Sequence, residues 1–185
     1  MKTIFLTLFL LCSIFAYDSF DLYEIKGQEE GPTLLIFGGI HGNEPGGYFA
    51  ASILAKHYTL TKGTLRVVPN ANKKSILKYR RGLNGDLNRK FSKISHLDKD
   101  LKIIKEIKSL ILDQNVDLIL NLHDGHGFFR EKYTNTIFNP GAWGQTCVID
   151  QIKLDQNSDY GDLECIAQKV SNKLNQHLLQ DHHSF

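Results

Sequence analysis

The sequence lacks most of the features that mark specialised classes of protein. Its formal net charge is only +2, and lysines are scattered among carboxylates, so neither nucleic acid nor an anionic membrane surface is indicated as a partner. Cysteine is scarce, with three residues and no CxxC pair, and neither Cys147 nor Cys165 looks like a metal ligand. No internal repeat or low-complexity tract is present. What remains is a chain of 185 residues, 42% hydrophobic, with the size and composition of one globular domain.

Long hydrophobic runs are also missing, apart from one at the N-terminus. Lys2 precedes an apolar stretch that begins at Ile4 and continues to Ala16. The stretch is shorter than the roughly 20 residues needed to span a bilayer. It predicts a signal peptide over residues 1–16, and a mature chain over residues 17–185 that is periplasmic or secreted and keeps no stable membrane anchor. A buried first strand or helix is the alternative.

Two cysteines, Cys147 and Cys165, remain in such a mature chain. An oxidising compartment would allow them to pair. Because they are far apart and belong to no recognisable motif, two buried, unpaired thiols are the favoured expectation.

The apolar pattern alternates between strand-like and helix-like segments. It predicts strands over Phe20–Lys26, Thr33–Phe37, Thr64–Val68 and Val116–Leu122, and helices over about 45–56, 98–114 and 163–178. This alternation predicts an α/β fold, with a mixed, largely parallel sheet and flanking helices. Residues 70–95 are polar and lack periodicity, and a loop of that length suggests a functional reason.

Two segments carry specific packing expectations. The helix over 45–56 is expected to place Phe49, Ile53 and Leu54 on one side. The strand Val116–Leu122 reads as a continuous apolar run and is expected to be buried on both faces.

Polar residues that suit a metal follow two of the predicted strands. His41 and Glu44 stand three residues apart between glycines after one strand, and His123 follows another. In such sheets ligands gather beyond the carboxyl ends of the strands. Two histidines and one glutamate leave a fourth tetrahedral position for water, as in hydrolytic zinc sites, where the metal lowers the pKa of that water towards ~7. The sequence therefore predicts a Zn²⁺ site with His41, Glu44 and His123 as ligands.

Three stretches carry a family resemblance. These are His-Gly-Asn-Glu-Pro at 41–45, Arg-Arg-Gly-Leu-Asn-Gly-Asp-Leu-Asn-Arg-Lys-Phe at 80–91 and Phe138–Gly144, and the first two precede His123 in the order that the family shows. Together with His123 they resemble the zinc metallocarboxypeptidase superfamily, and most of all the bacterial peptidoglycan carboxypeptidases that control helical cell shape. Residues 17–185 would then be the N-terminal part of a zinc carboxypeptidase catalytic domain.

The resemblance implies a role for each matching residue. His41, Glu44 and His123 would bind zinc, and Asn88 and Arg89 would hold the terminal carboxylate of the substrate. Arg81 would stabilise the oxyanion, although its neighbour Arg80 remains an alternative. The implied substrate is a peptidoglycan stem tripeptide, trimmed to a dipeptide with release of meso-diaminopimelate, or another small peptide with a free carboxylate.

One catalytic group of the superfamily has no counterpart in the sequence. The general base is a glutamate on a strand after the third ligand; Glu131 falls in a predicted loop and Glu164 on a helix, so neither fits. The chain is therefore expected to end before that strand, and its own turnover stays open. Two other interpretations remain: a deacylase of the aspartoacylase or succinylglutamate desuccinylase type, and a non-catalytic zinc- or peptide-binding remnant. Asp124, beside His123, is a candidate for orienting a ligand histidine.

Overall fold

The computed structural model describes residues 12–16, 19–144, 146–153 and 161–176. The chain divides into two compact units, residues 1–123 and residues 124–185. Among the described residues, none of the helices has the length and apolar character that crossing a membrane requires.

The first unit is built on a five-stranded sheet. Its strands are β1 (Cys12–Ala16), β2 (Asp21–Lys26), β3 (Glu29–Gly38), β4 (Lys62–Val68) and β5 (Leu118–Leu122), in the spatial order β1-β2-β4-β3-β5. The strand β3 runs parallel to both β4 and β5, whereas β2 is antiparallel to β1 and β4. With helices on both faces of this sheet, the predicted mixed α/β fold is confirmed.

The strand β1 falls within the predicted signal peptide. Its backbone pairs with β2 from Cys12 opposite Ile25 to Ala16 opposite Asp21. Residues 1–11 lie outside the described part of the chain. The signal peptide, with the mature chain over residues 17–185, stays a prediction.

Among the described residues of this unit, the α-helices that accompany the sheet are α1 (Pro45–His57), α2 (Lys73–Leu77) and α3 (Leu101–Ile111). Alternate residues of a strand point to opposite faces. Leu35 and Phe37 of β3 therefore join one apolar cluster, which includes Ile104 and Ile107 of α3. Ile36, between them, joins a second cluster on the other face, with residues of α1. Each face of the sheet is covered by its own helix.

The three apolar residues expected on one side of α1 are divided, since Leu54 packs against the second cluster whereas Phe49 and Ile53 do not. Phe49 and Ile53 are 60% and 53% exposed, whereas Gly47, Ala51 and Ala55 are buried. A β-carbon added at Gly47 would stand 2.5 Å from the carbonyl oxygen of Leu122, so the helix lies too close to the sheet for large side chains. The small residues face the sheet because only they fit, and Phe49 and Ile53 are left on the outer side.

The expected burial of β5 is also wrong. Ile119 and Leu120 are 39% and 41% exposed, and the strand begins at Leu118 rather than at Val116. In the described part of the sheet β5 has one neighbour, β3, so its apolar sequence lies at an edge.

The predicted loop over residues 70–95 contains two short helical segments. One is α2, and the other is a 3₁₀ turn over Leu87–Arg89. Both begin after a polar residue whose side chain accepts a backbone N–H of the new turn, Asn72 for α2 and Asp86 for the 3₁₀ turn. Neither is long enough to give the sequence a helical period, which is why the pattern predicts a loop.

The second unit contains two short parallel strands, β6 (Phe128–Phe129) and β7 (Phe138–Asn139), and the helix α4 (Leu163–Asn175). Asp162 caps α4 by accepting the backbone N–H of Cys165. Cys147 and Cys165 are both exposed free thiols, so their expected burial is wrong.

Candidate metal centre

The first part of the centre is the turn between β3 and α1. The strand β3 ends at Gly38, and Gly39 takes a left-handed conformation with φ of 73°, which a residue with a side chain adopts only at a cost. Pro45 then starts α1, a position that suits it because the first helical N–H has no partner in the helix. The turn thus places His41 and Glu44 just beyond the carboxyl end of β3.

The segment after β4 supports this turn through its backbone. The N–H groups of Ala71 and Asn72 donate to the carbonyl oxygens of Gly38 and Gly39, at 3.0 and 2.9 Å. On the other side, Gly42 N donates to Arg80 O at 3.0 Å. The long polar segment therefore lies against the turn that carries His41 and Glu44, and a functional reason for its length stays a prediction.

The structure brings the three predicted ligands together. Potential ligand atoms of His41, Glu44 and His123 all lie within 4.8 Å of one another. The Nδ1 atoms of His41 and His123 lie 2.9 and 2.7 Å from the two carboxylate oxygens of Glu44. The His41 side chain is 1% exposed, that of Glu44 11% and that of His123 29%, so the cluster is closed on the His41 side and reachable beside His123. Two imidazole nitrogens and a carboxylate are a donor set that fits zinc.

Asp86 makes a contact that the sequence did not reveal. Its Oδ1 atom lies 2.9 Å from His41 Nε2 and also accepts the backbone N–H of Asn88 at 3.0 Å. Burial, the largest influence, raises the pKa of Asp86, but the hydrogen bonds and charges of His41 and Arg81 outweigh it and lower the pKa to about 2. A histidine that binds a metal commonly donates its other ring N–H to a carboxylate, and Asp86 stands where it could accept such a proton from Nε2 of His41. The candidate for such a role from the sequence was Asp124, for which it stays a prediction.

Arg81 contacts the same group of residues. Its Nη1 donates to Glu44 Oε1 at 2.8 Å, and its Nε donates to Asp86 Oδ2 at 3.0 Å. Half of its side chain is exposed, so the guanidinium lies at the rim of the cluster. The contribution of its neighbour Arg80 is the backbone carbonyl that holds Gly42. Of the two alternatives for an oxyanion residue, the side chain of Arg81 is the one beside the ligands.

Asn88 and Arg89 stand on the 3₁₀ turn that Asp86 starts. Leu87, the first residue of the turn, is fully buried and anchors it in the core. Arg89 is exposed. The Oδ1 atom of Asp86 contacts both His41 Nε2 and the backbone N–H of Asn88. This carboxylate therefore links a predicted metal ligand to the predicted carboxylate-binding residues.

Replacing Asp86 by Asn tests this link. Asparagine keeps the size of the side chain but loses its charge, so the zinc affinity should fall about 10- to 100-fold, as for other partners of ligand histidines. Competition with a chelator of known zinc affinity measures it. Asp150, which is exposed, supplies the control, and D150N should bind zinc like the unchanged chain. Unchanged zinc affinity in D86N would mean that His41 does not depend on this carboxylate.

Together, the fold and the site define a class. The strand β3 leads directly to His41 and Glu44, and its parallel neighbour β5 leads to His123. A mixed α/β sheet with these residues at its strand ends has the architecture of a metallocarboxypeptidase.

Comparison with known proteins gives the family. Residues 1–185 match the model of a protein family, which is described as the catalytic part of carboxypeptidases controlling helical cell shape. The chain belongs to this family.

Solved structures of one relative are similar over most of this chain. The product-bound cell shape determinant protein Csd4 from Helicobacter pylori is 38% identical, with a TM-score of 0.80, over 88% of this chain and 40% of that one. The diaminopimelate-bound form of Csd4, described as a D,L-carboxypeptidase, is 41% identical, with a TM-score of 0.75, over 80% of this chain and 36% of that one. The chain thus spans about two fifths of the length of these relatives.

The chain is less similar to a structure of the desuccinylase/aspartoacylase type. A succinylglutamate desuccinylase/aspartoacylase from Rhodobacter sphaeroides is 25% identical, with a TM-score of 0.50, over 57% of this chain and 33% of that one. Curated proteins gave no match to this chain.

Proposed function

We propose that this chain acts as a zinc-dependent carboxypeptidase on peptidoglycan stem peptides in the periplasm, trimming a tripeptide to a dipeptide with release of meso-diaminopimelate. The observation that carries the proposal is the convergence of His41, Glu44 and His123 in a chain of the cell-shape carboxypeptidase family. Structures of Csd4 with a bound tripeptide and with bound diaminopimelate support the substrate class. Export through a signal peptide over residues 1–16 belongs to the same proposal.

The first group of residues would bind the zinc and stabilise the reacting carbonyl. His41 and His123, through their Nδ1 atoms, and Glu44 would hold the zinc, which when bound supplies a Lewis acid that polarises the scissile carbonyl. Arg81 would donate to the oxygen that gains charge as the carbonyl becomes tetrahedral, and its position at the rim beside Glu44 supports this role.

The second group of residues recognises the end of the substrate. Asn88 and Arg89 would bind its terminal carboxylate, for which a planar guanidinium offers two parallel hydrogen bonds. Asp86 keeps this turn in register with the metal ligands.

A deacylase is the second candidate, and the similarity to the desuccinylase/aspartoacylase structure favours it to a lesser extent. That similarity covers 57% of the chain at 25% identity, against 88% at 38% for Csd4. The carboxypeptidase proposal therefore has the stronger support. A non-catalytic zinc- or peptide-binding protein is the third candidate, and it would bind zinc without releasing diaminopimelate.

The test is incubation of the zinc-loaded chain with a muropeptide tripeptide, followed by detection of released diaminopimelate. Release supports the proposal. Bound zinc without any release would contradict turnover by this chain, and turnover of N-succinyl or N-acetyl amino acids instead would indicate the deacylase.

The R89M variant tests the proposed substrate contact in the same assay. Losing a charge-assisted contact to the terminal carboxylate should raise KM about 10- to 100-fold and leave kcat within a few-fold. Lys93 is an exposed cation four residues further on, and K93M is the matched control, with unchanged KM expected. A normal KM in R89M would show that Arg89 does not bind the substrate carboxylate.

A further inference from the structure

Lys90 is a nearly buried cation directly after the proposed carboxylate-binding residues. Its side chain is 13% exposed. The Nζ atom donates to Asn84 O at 2.8 Å, to Asp98 Oδ1 at 2.9 Å and to Asp100 Oδ2 at 2.7 Å. A lysine ammonium has three donors, so this one is fully used by contacts within the chain.

The three acceptors are themselves fixed to one another. Asp98 Oδ1 accepts the backbone N–H of Asp100 at 2.8 Å, and Asp100 Oδ1 accepts Asn84 Nδ2 at 2.7 Å. Asp100 stands at the N-terminus of α3, where its carbonyl accepts Ile104 N. Because Ile104 is fully buried, the network attaches the polar loop to an element that is anchored in the core.

The ammonium group of Lys90 is charged at neutral pH. Burial, the largest influence, lowers the pKa of Lys90, but the hydrogen bonds and charges of Asp100 and Asp98 outweigh it and raise the pKa. Lys90 therefore stays charged at neutral pH and keeps its contacts.

Lys90 also stands at one end of the 3₁₀ turn over Leu87–Arg89, so its side chain ties that end of the turn to Asp98 and Asp100. Lys90 N donates to Leu87 O at 3.0 Å and so closes the turn, while Asp86 opens it and contacts His41. Arg89, on this turn, is exposed and cannot fix its own position through burial. A group that binds substrate must be held within a fraction of an ångström, so its neighbours have to supply that restraint.

We propose that Lys90 is a positioning residue for the carboxylate-binding turn, which it fastens to the N-terminus of α3. This rests on the proposed function, since it takes Asn88 and Arg89 as the residues that bind the substrate carboxylate. Lysine suits the role because three acceptors surround one compact ammonium group, whereas the flat guanidinium of arginine directs its donors into a plane. Arginine at this position is therefore not expected to replace lysine.

The K90M variant is the main test, with the zinc-loaded chain and a stem tripeptide ending in diaminopimelate. Calorimetry should show tripeptide binding weakened about tenfold or more, with the zinc affinity within twofold of the unchanged chain. Where turnover is measurable, KM should rise and kcat should stay within a few-fold, because the zinc ligands and Arg81 are untouched. K93M removes the same charge at an exposed position and should bind the tripeptide normally.

Three further variants separate positioning from a general loss of structure. K90R should fail to restore tripeptide binding. D98N removes one acceptor charge and should weaken binding less than K90M does. In the double variant K90M/D98N, the second substitution should add little, because the contact it removes is already gone. Tripeptide binding by K90M within twofold of the unchanged chain, or additive effects in the double variant, would overturn the proposal.

Hydrogen exchange distinguishes failure of this proposal from failure of the proposed function. If the unchanged chain binds zinc but no tripeptide, the proposed function fails, and the positioning role is decided by the amides of residues 84–89. Faster exchange of these amides in K90M, but not in K93M, supports the role, and equal exchange in both variants overturns it.

Discussion

The H123A variant is expected to lose stoichiometric zinc. The three proposed ligands are His41, Glu44 and His123, and the potential ligand atoms lie within 4.8 Å of one another, so removing His123 leaves two. Structural zinc sites with four ligands contribute about 10–16 kcal/mol, which is about 3 kcal/mol per ligand, so the affinity should fall about 100-fold or more. Zinc per chain after desalting, followed by titration against a chelator, gives the measurement. Release of diaminopimelate should be lost together with the metal.

The matched control for this variant is H126A. His126 is exposed and three positions further along, and it matches no ligand position. H126A should therefore keep one zinc per chain. A chain that retained stoichiometric zinc in H123A, or lost it in H126A, would refute the ligand assignment.

The G42A variant is expected to destabilise the first unit and weaken zinc binding together. A β-carbon at Gly42 would overlap the backbone carbonyl of Ser75 and the nitrogen of Ile76, and backbone atoms cannot rotate away. The turn and α2 would have to separate, which also breaks the hydrogen bond from Gly42 N to Arg80 O. Overpacking of this kind costs about 3 kcal/mol. Chemical denaturation of the metal-free chain measures the loss of stability.

The control for G42A is a glycine in the first turn of α1. Gly46 is exposed, and alanine there should be neutral or stabilising by up to about 1 kcal/mol, since glycine is a poor helix former. If G42A were as stable as G46A, the tight contact between the turn and α2 would not exist in solution.

Local patterns were sufficient to predict the elements beside two of the proposed ligands, His41 and Glu44. The apolar run before Gly38 predicts β3, and glycines with Pro45 predict the turn and the start of α1. These features depend on residues that are neighbours in the chain. For this reason the predicted strand and helix positions around His41 and Glu44 agree with the structure.

Packing between distant segments was less predictable. In α1, size rather than hydrophobicity decides which side faces the sheet, because the backbone of the helix comes close to Leu122. In β5, an apolar sequence predicts burial, but the neighbours of the strand in the sheet decide it. Neither the distance between a helix and the sheet nor the neighbours of a strand can be obtained from periodicity along one segment.

The sequence by itself determined the alternation of strands and helices, the positions of His41, Glu44 and His123 at strand ends, and the motif that contains Asn88 and Arg89. Only the tertiary structure decided that Asp86 contacts His41, 45 positions away, that the side chain of Arg81 contacts Glu44 and Asp86, and that Lys90 joins Asp98 and Asp100. The physical reason is the range of the interactions. Periodicity and turn residues reflect interactions between residues that are near one another in the sequence. A hydrogen bond between charged side chains depends instead on where the folded chain brings those side chains. An aspartate in a polar loop therefore has the same local sequence pattern whether it contacts a histidine of the metal centre or solvent.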